Sequence, residues 1–256
     1  MSSGQHSIIR LSETASTNKD AMRLALAGEH LPLWVAAERQ SAGRGRAGRT
    51  WVSAAGNLHA SVAISLSAPP ALAGQLALVS GLALYEAVRA DVPPAQNICL
   101  RLKWPNDLLI GLAKVGGILV ESTTARGGSE FIAVIGFGLN IVSAPDNLGR
   151  EVTSLRDAGL ETGSGPLLQS LADELNNWLA RWDEARGFDG IRKDWMERAG
   201  PFGEQISINS GKGQVLGTYQ GLSETGGLLA EVEGRRETIT FGDVMLAAAA
   251  DTSDDG

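Results

Sequence analysis

Gly43-Arg-Gly-Arg-Ala-Gly48, followed by Arg49 and Thr50-Trp-Val-Ser-Ala-Ala-Gly56, is the stretch on which the choice of fold turns. In form it matches the dinucleotide fingerprint G-x-G-x-x-G. That fingerprint must open a helix and needs an acid about 20 residues further on to hold a ribose. Here residues 50–56 make a poor helix start, a strand-like run follows, and positions 65–72 contain no acid. A doubly wound dinucleotide fold is therefore excluded. What remains is a loop with many bare backbone N–H groups and three guanidiniums, Arg44, Arg46 and Arg49. Glycines let a backbone come close to a phosphate, and arginines pair with phosphate or carboxylate oxygens two bonds at a time. A solvated basic surface loop is the plain alternative, for which Trp51 is an unusual neighbour. Its indole could stack on a purine or simply close the core behind the loop.

The chain around this loop has 256 residues and a formal net charge of −7. That length suits one substantial domain with sheet and helices plus a small appendage. An acidic balance disfavours a nucleic-acid partner, so cations gathered on one loop point to a small anionic ligand. The single cysteine, Cys99, rules out an internal disulfide framework, and its setting, Ile98-Cys-Leu100, predicts a buried, inert thiol. The N-terminal residues lack a basic region followed by an apolar stretch, and no window approaches the roughly 18 apolar residues of a membrane span. The expected compartment is the cytoplasm.

Working outward, the pattern predicts a helix over 17–27, with Ser16 or Thr17 as cap and Gly28 as stop, and a buried strand over 33–37. A strand is expected over 58–66, a helix over 71–90 ending before Pro93-Pro94, and strands over 98–103, 107–111, 115–122 and 131–137. Helices fit 166–185 and 188–198. After Pro201-Phe-Gly203, strand-like runs at 205–208, 215–220, 228–233 and 237–241 alternate with Ser-Gly-Lys-Gly, Glu-Thr-Gly-Gly and Glu-Gly-Arg, which predicts a small β-barrel. The expected division is 1–203 for the main domain, 204–248 for the barrel and 249–256 for an acidic, disordered tail.

Three further segments carry chemistry. In Lys103-Trp-Pro-Asn-Asp107 the residue before proline is extended and Asn-Asp favour a turn, so Lys103 and Asp107 project from adjacent strand ends. A carboxylate there could hold Mg²⁺ beside phosphates, or the pair could be an exposed ion pair on a tight hairpin. Lys114 begins the otherwise apolar run Lys114-Val-Gly-Gly-Ile-Leu-Val-Glu121; a lysine at a strand mouth usually faces solvent. Ile135-Gly-Phe-Gly-Leu-Asn-Ile141 is an apolar strand interrupted by glycines, where another backbone or a ligand comes close. Singly, none of these is specific.

Together and in this order they are. Ser16-Thr-Asn18, Glu38-Arg-Gln-Ser-Ala-Gly-Arg-Gly-Arg-Ala-Gly-Arg49 with Trp51, Lys103-Trp-Pro-Asn-Asp107, Lys114 with Gly117-Ile-Leu-Val-Glu121, and Gly136-Phe-Gly-Leu-Asn140 resemble the motif series of the biotin–protein ligases. The resemblance runs from about residue 11 to residue 246. It implies an α+β fold, a mixed β-sheet with helices on one face like the class II aminoacyl-tRNA synthetases, followed by an SH3-like β-barrel. It implies that biotin and ATP form biotinyl-5′-AMP with Mg²⁺, and that biotin then passes to a lysine of a biotin carboxyl carrier domain.

The resemblance further assigns biotin to Ser16, Thr17, Asn18, Gln40, Gly43, Arg44, Gly45, Arg46, Lys114 and Gly117. ATP falls to Trp51, Lys103, Asn106, Asp107 and Asn140, the metal to Asp107, and catalysis to Arg44, Arg46 and Lys114, with Arg49 a weaker candidate. The loop is expected to order over the adenylate. The first motif begins at Ser16, so no DNA-binding domain, and hence no DNA partner, is expected; a homodimer through an edge strand is allowed. A ring urea wants neutral hydroxyl and amide partners, whereas a carboxylate meeting a triphosphate needs cations. A lipoate–protein ligase of the same fold would want a more apolar pocket than Ser16, Asn18 and Gln40 offer. A biotin-binding regulator without turnover would not need the lysine and arginines.

Overall fold

The computed structural model describes residues 6–124, 131–146, 151–209 and 213–246; the acidic tail expected to be disordered lies outside them. The chain runs β1 (Ile8–Thr14), α1 (Thr17–Leu26), β2 (Leu33–Gln40), β3 (Leu58–Leu66), α2 (Ala73–Ala90), β4 (Leu100–Lys103), β5 (Asp107–Ile110), β6 (Ala113–Thr124), β7 (Phe131–Leu139), α3 (Ser164–Trp182) and α4 (Phe188–Glu197). There follow β8 (Gln205–Asn209), β9 (Gln214–Leu222), β10 (Leu228–Val232), β11 (Arg235–Ile239) and β12 (Asp243–Leu246). Strands β1 to β7 form one sheet in the order β1-β2-β3-β7-β6-β5-β4, and the rest a five-stranded antiparallel sheet in the order β11-β10-β9-β8-β12. Only β1 and β2 run parallel in the first sheet, which makes it mixed. Among the described residues no helix is long and apolar enough to cross a membrane.

Alternation along the strands builds two apolar faces. Trp34, Ala36, Val62, Ile64, Ala133 and Ile135 point into the larger core, where α2 and α3 lay down Leu76, Val79, Leu82, Leu168 and Leu171. Their neighbours Val35, Ala63, Ile132 and Val134 point the other way, and α1 covers them with Ala21 and Ala25. Helices therefore lie on both faces rather than one. The expected single layer holds for α2 and α3, while α1 sits alone across the sheet. Small residues on α1 let it approach closely and leave the remainder of that face open for a cleft.

The second sheet shares the larger core through Ile206, Ile208, Tyr219 and Leu228. It is also stitched to the first by polar bonds. Trp104 Nε1 donates to the Gly226 carbonyl at 3.1 Å, and Arg101 pairs with Glu204, both largely buried. Burying the ends of these groups would cost free energy without such partners.

Strand β1 was not expected, because its half-exposed residues alternate weakly at a sheet edge; nor was β12, which has four residues. Cys99 is exposed, against the expectation of a buried thiol. The strand starts at Leu100, two residues later than expected, so Leu100 and Leu102 take the inward phase and Cys99 falls outside it. The segment 103–107 is the turn between β4 and β5, but its ion pair is not exposed: the Lys103 side chain is 15% accessible and that of Asp107 8%.

Candidate active site

The open part of the α1 face becomes a cleft because β7 carries no side chain at two inward positions. Gly136 pairs with Ser61 on one side and Leu119 on the other, and Gly138 with His59 and Gly117. A Cβ on Gly136 would overlap the Asn18 amide, and one on Gly138 would overlap the Trp51 ring. The two glycines thus let Asn18 and Trp51 lie flat on the sheet. The unusual glycine spacing in β7 has this physical cause.

Ser16, Thr17, Asn18 and Gln40 gather at one end of the cleft. Ser16 stands at the N-cap position of α1, yet no side-chain capping bond forms there. The hydroxyls and amides instead serve one another. Thr17 donates through its backbone N–H (2.9 Å) and its hydroxyl (3.1 Å) to Gln40 Oε1, and Gln40 Nε2 donates to Ser53 Oγ at 3.1 Å. Thr17 and Ser61 hydroxyls lie 2.7 Å apart, and Ser61 donates to Asn18 Oδ1 at 2.6 Å. Asn18 Nδ2 donates to Glu121 Oε2 at 2.8 Å. Ser16, Thr17, Asn18 and Ser61 are all buried, so this is a neutral, pre-ordered polar pocket.

The other end is cationic. The arginine loop is a pinched hairpin: Trp51 N donates to the Gly43 carbonyl (3.0 Å), Gly45 N to the Arg49 carbonyl (2.7 Å), and Arg44 bridges Thr50. Arg44 pairs with Glu121 at 2.7 Å, Arg46 with Asp243 at 3.4 Å, and Arg49 with the same Asp243. Burial pulls the Arg46 guanidinium below its ordinary value, against the opposing pull of Asp243 and Asp107.

Lys114 is buried at the floor and bonded to Asp107 Oδ1, so it does not face solvent as a strand-mouth lysine usually does. The other oxygen of Asp107 takes Lys103 at 3.0 Å. Burial alone would raise the Asp107 carboxyl, but Lys114 and Lys103 outweigh it and hold it well below the usual carboxylate range. Among the described residues four cations line this end, with Lys103 behind Asp107, against three carboxylates, an excess that favours an anionic guest. The Lys114 ammonium also lies 5.7 Å from the centre of the Trp51 ring, whose buried N–H has no acceptor among the described residues.

Of the residues expected at the site, Ser16, Thr17, Asn18, Gln40, Arg44, Gly45, Arg46, Trp51, Asn106, Asp107, Lys114 and Gly117 line this one cleft. Gly43 sits at the hairpin's base, and Lys103 stands behind Asp107 against a different small cavity. Asn140 is not on the cleft wall: it is buried and donates to the Thr153 carbonyl at 3.1 Å, tying down the segment that follows β7.

Three site groups were not foreseen. Ser61 is a polar residue at an inward position of β3, a local signal that alternation could have supplied. Glu121 closes a quoted motif but has no mark of its own. Asp243 lies 197 residues from Arg46, and only the folded chain joins them.

Comparison with known proteins came out the same way along the chain. The model of the Biotin/lipoate A/B protein ligase family matches residues 8–140, and that of the Biotin protein ligase C terminal domain matches residues 202–246. A "Biotin--[acetyl-CoA-carboxylase] ligase" of Paracoccus denitrificans is 36% identical over 243 residues, covering 92% of this chain and 99% of that protein. Among solved structures, a biotin protein ligase from Aquifex aeolicus in complex with biotin and ATP is similar, with a TM-score of 0.76 and 27% identity over 95% of this chain and 99% of that one. A biotin protein ligase from Leishmania major in complex with biotinyl-5-AMP gives a TM-score of 0.61 and 26% identity, covering 95% of this chain and 99% of that one.

Proposed function

The chain belongs to the biotin/lipoate A/B protein ligase family, and on that ground we propose that it activates biotin with ATP and transfers it to a lysine of a biotin carrier domain. One observation carries the reading to this cleft: a neutral hydroxyl–amide pocket and a cation cluster meet over the same glycine floor. The first suits a ring urea and the second suits a carboxylate and a phosphate; lipoate has no use for the first.

In this reading Ser16, Thr17, Asn18 and Gln40 take the ureido ring, and biotin's valeryl chain runs toward Lys114. A carboxylate oxygen attacks the α-phosphorus of ATP, a P–O bond forms, and pyrophosphate leaves. Lys114, Arg44 and Arg46 offset the repulsion between the two anions and stabilise charge on the five-coordinate phosphorus. Trp51 offers the nucleotide a ring face and an N–H that has no acceptor among the described residues. The amine of the acceptor lysine then attacks the acyl carbon, an amide forms, and AMP departs with the mixed-anhydride oxygen. Water must be kept out between these steps, which is work for the arginine hairpin.

A magnesium ion on Asp107 does not fit. Both carboxylate oxygens already hold ammonium groups, and among the described residues no group of three His, Cys, Asp or Glu could hold a metal. The role of Asp107 is to hold two lysines in place.

The test is direct. With biotin, ATP and a biotin carrier domain, mass spectrometry should find one biotinyl group on one lysine, and none when ATP is withheld. Modification with lipoate in place of biotin would overturn the substrate assignment.

A further inference from the structure

The hairpin that covers the cleft is fastened from the second sheet as well as the first. Asp243 is the first residue of β12 and pairs in register with Asn209 of β8, so its carboxylate is presented from a sheet whose core is continuous with the main domain. Arg46 reaches three acceptors: Asn106 Oδ1 at 3.3 Å, Asp243 Oδ1 at 3.4 Å and the Gly242 carbonyl at 3.1 Å. Two of the three belong to the β12 segment. Arg49 adds a second guanidinium to the same carboxylate. On the first sheet the hairpin is met by Asn106, which takes Arg46, and by Glu121, which takes Arg44.

We propose that Asp243 is a latch: a positioning residue through which the C-terminal sheet holds the arginine hairpin shut over the bound acyl adenylate. The inference rests on the reading of this cleft as the adenylation site. With the hairpin down, Arg44, Arg46 and Arg49 themselves line the cleft, so the loop stands over the space a nucleotide would enter. The hairpin must therefore lift for ATP to enter and close again afterwards. The pairs that hold it suit such a cycle. Their side chains are a quarter to a half exposed, and ion pairs of that kind are weak singly and open readily. Two guanidiniums sharing one carboxylate, with a backbone carbonyl beside it, make a fastening stronger than either pair and still reversible. Closure matters most once the mixed anhydride has formed, because water is then the competing nucleophile. The C-terminal sheet thus becomes a working part of the site.

The test uses the full chain with Asp243→Asn, which keeps shape and removes charge. Biotin and radiolabelled ATP are mixed without a carrier domain, the complex is desalted quickly, and loss of labelled adenylate is followed. Escape should rise about five- to tenfold, the scale of two partly exposed ion pairs. Asp243→Glu should recover part of the retention. Arg49→Gln should speed escape less, and combined with Asp243→Asn it should add little, because both act through one contact. Wild-type retention in Asp243→Asn, or full additivity in the double variant, would overturn the latch. Should Asp243→Asn fail to fold, unchanged escape in Arg49→Gln overturns it equally. Pyrophosphate exchange measured on the wild type separates the two claims: exchange without faster escape sinks the latch alone, and absence of exchange sinks the adenylation reading with it.

Discussion

Lys114→Ala is expected to slow biotin-dependent pyrophosphate exchange by about 10²–10³-fold, the usual cost of removing a preorganised group that meets charge in a transition state. The fold should barely notice. Lys114 is buried beside Asp107, yet Asp107 keeps Lys103 on its other oxygen, so no carboxylate is stranded. Exchange kinetics together with a thermal melt check both halves. Wild-type exchange would remove Lys114 from the site. An unfolded protein would show that its role is to hold the sheet rather than the substrates.

Asp107→Ala should behave in the opposite way. It removes the single carboxylate from between two ammonium groups whose side chains are 15% and 11% accessible. Breaking a buried ionic group on one side costs about 3–5 kcal/mol, because the remaining charges lose the carboxylate they share. Chemical denaturation should register that loss, and activity should fall with it because Lys114 is no longer aimed. The sign of the pH effect follows from the depressed Asp107 carboxyl. Its contribution is complete above the ordinary carboxylate value of about 4 and is lost only as pH falls well below that. Wild-type stability from pH 5 to 8 should therefore show no step traceable to this pair. A midpoint for Asp107→Ala equal to the wild type would contradict the arrangement.

These two residues show what could be read from the chain and what could not. The segment Lys103–Asp107 announces a turn through its proline and Asn-Asp pair, and the turn lies there. Local patterning carries no information about what stands opposite, so the sequence left open whether Asp107 meets a metal or solvent. In the fold β6 brings Lys114 beside it, and the pair is internal. Gly136 and Gly138 declared a close approach, because glycine inside an apolar strand has few other reasons to be there. That Asn18 and Trp51 are the groups approaching follows from the pairing of β7 with β3 and β6. Helix α1 was legible from its caps, but its side of the sheet was not, since alternation defines two faces without saying which helix covers which. Asp243 is the extreme case: it joins Arg46 and Arg49 only because the second sheet packs on the first.

The central claim is that this cleft joins biotin to AMP. Incorporation of labelled pyrophosphate into ATP, with biotin and lipoate run side by side and no carrier domain present, measures that half-reaction alone. Exchange that depends on biotin and is indifferent to lipoate is the predicted result. Exchange driven by lipoate, or none with either acid, would contradict it.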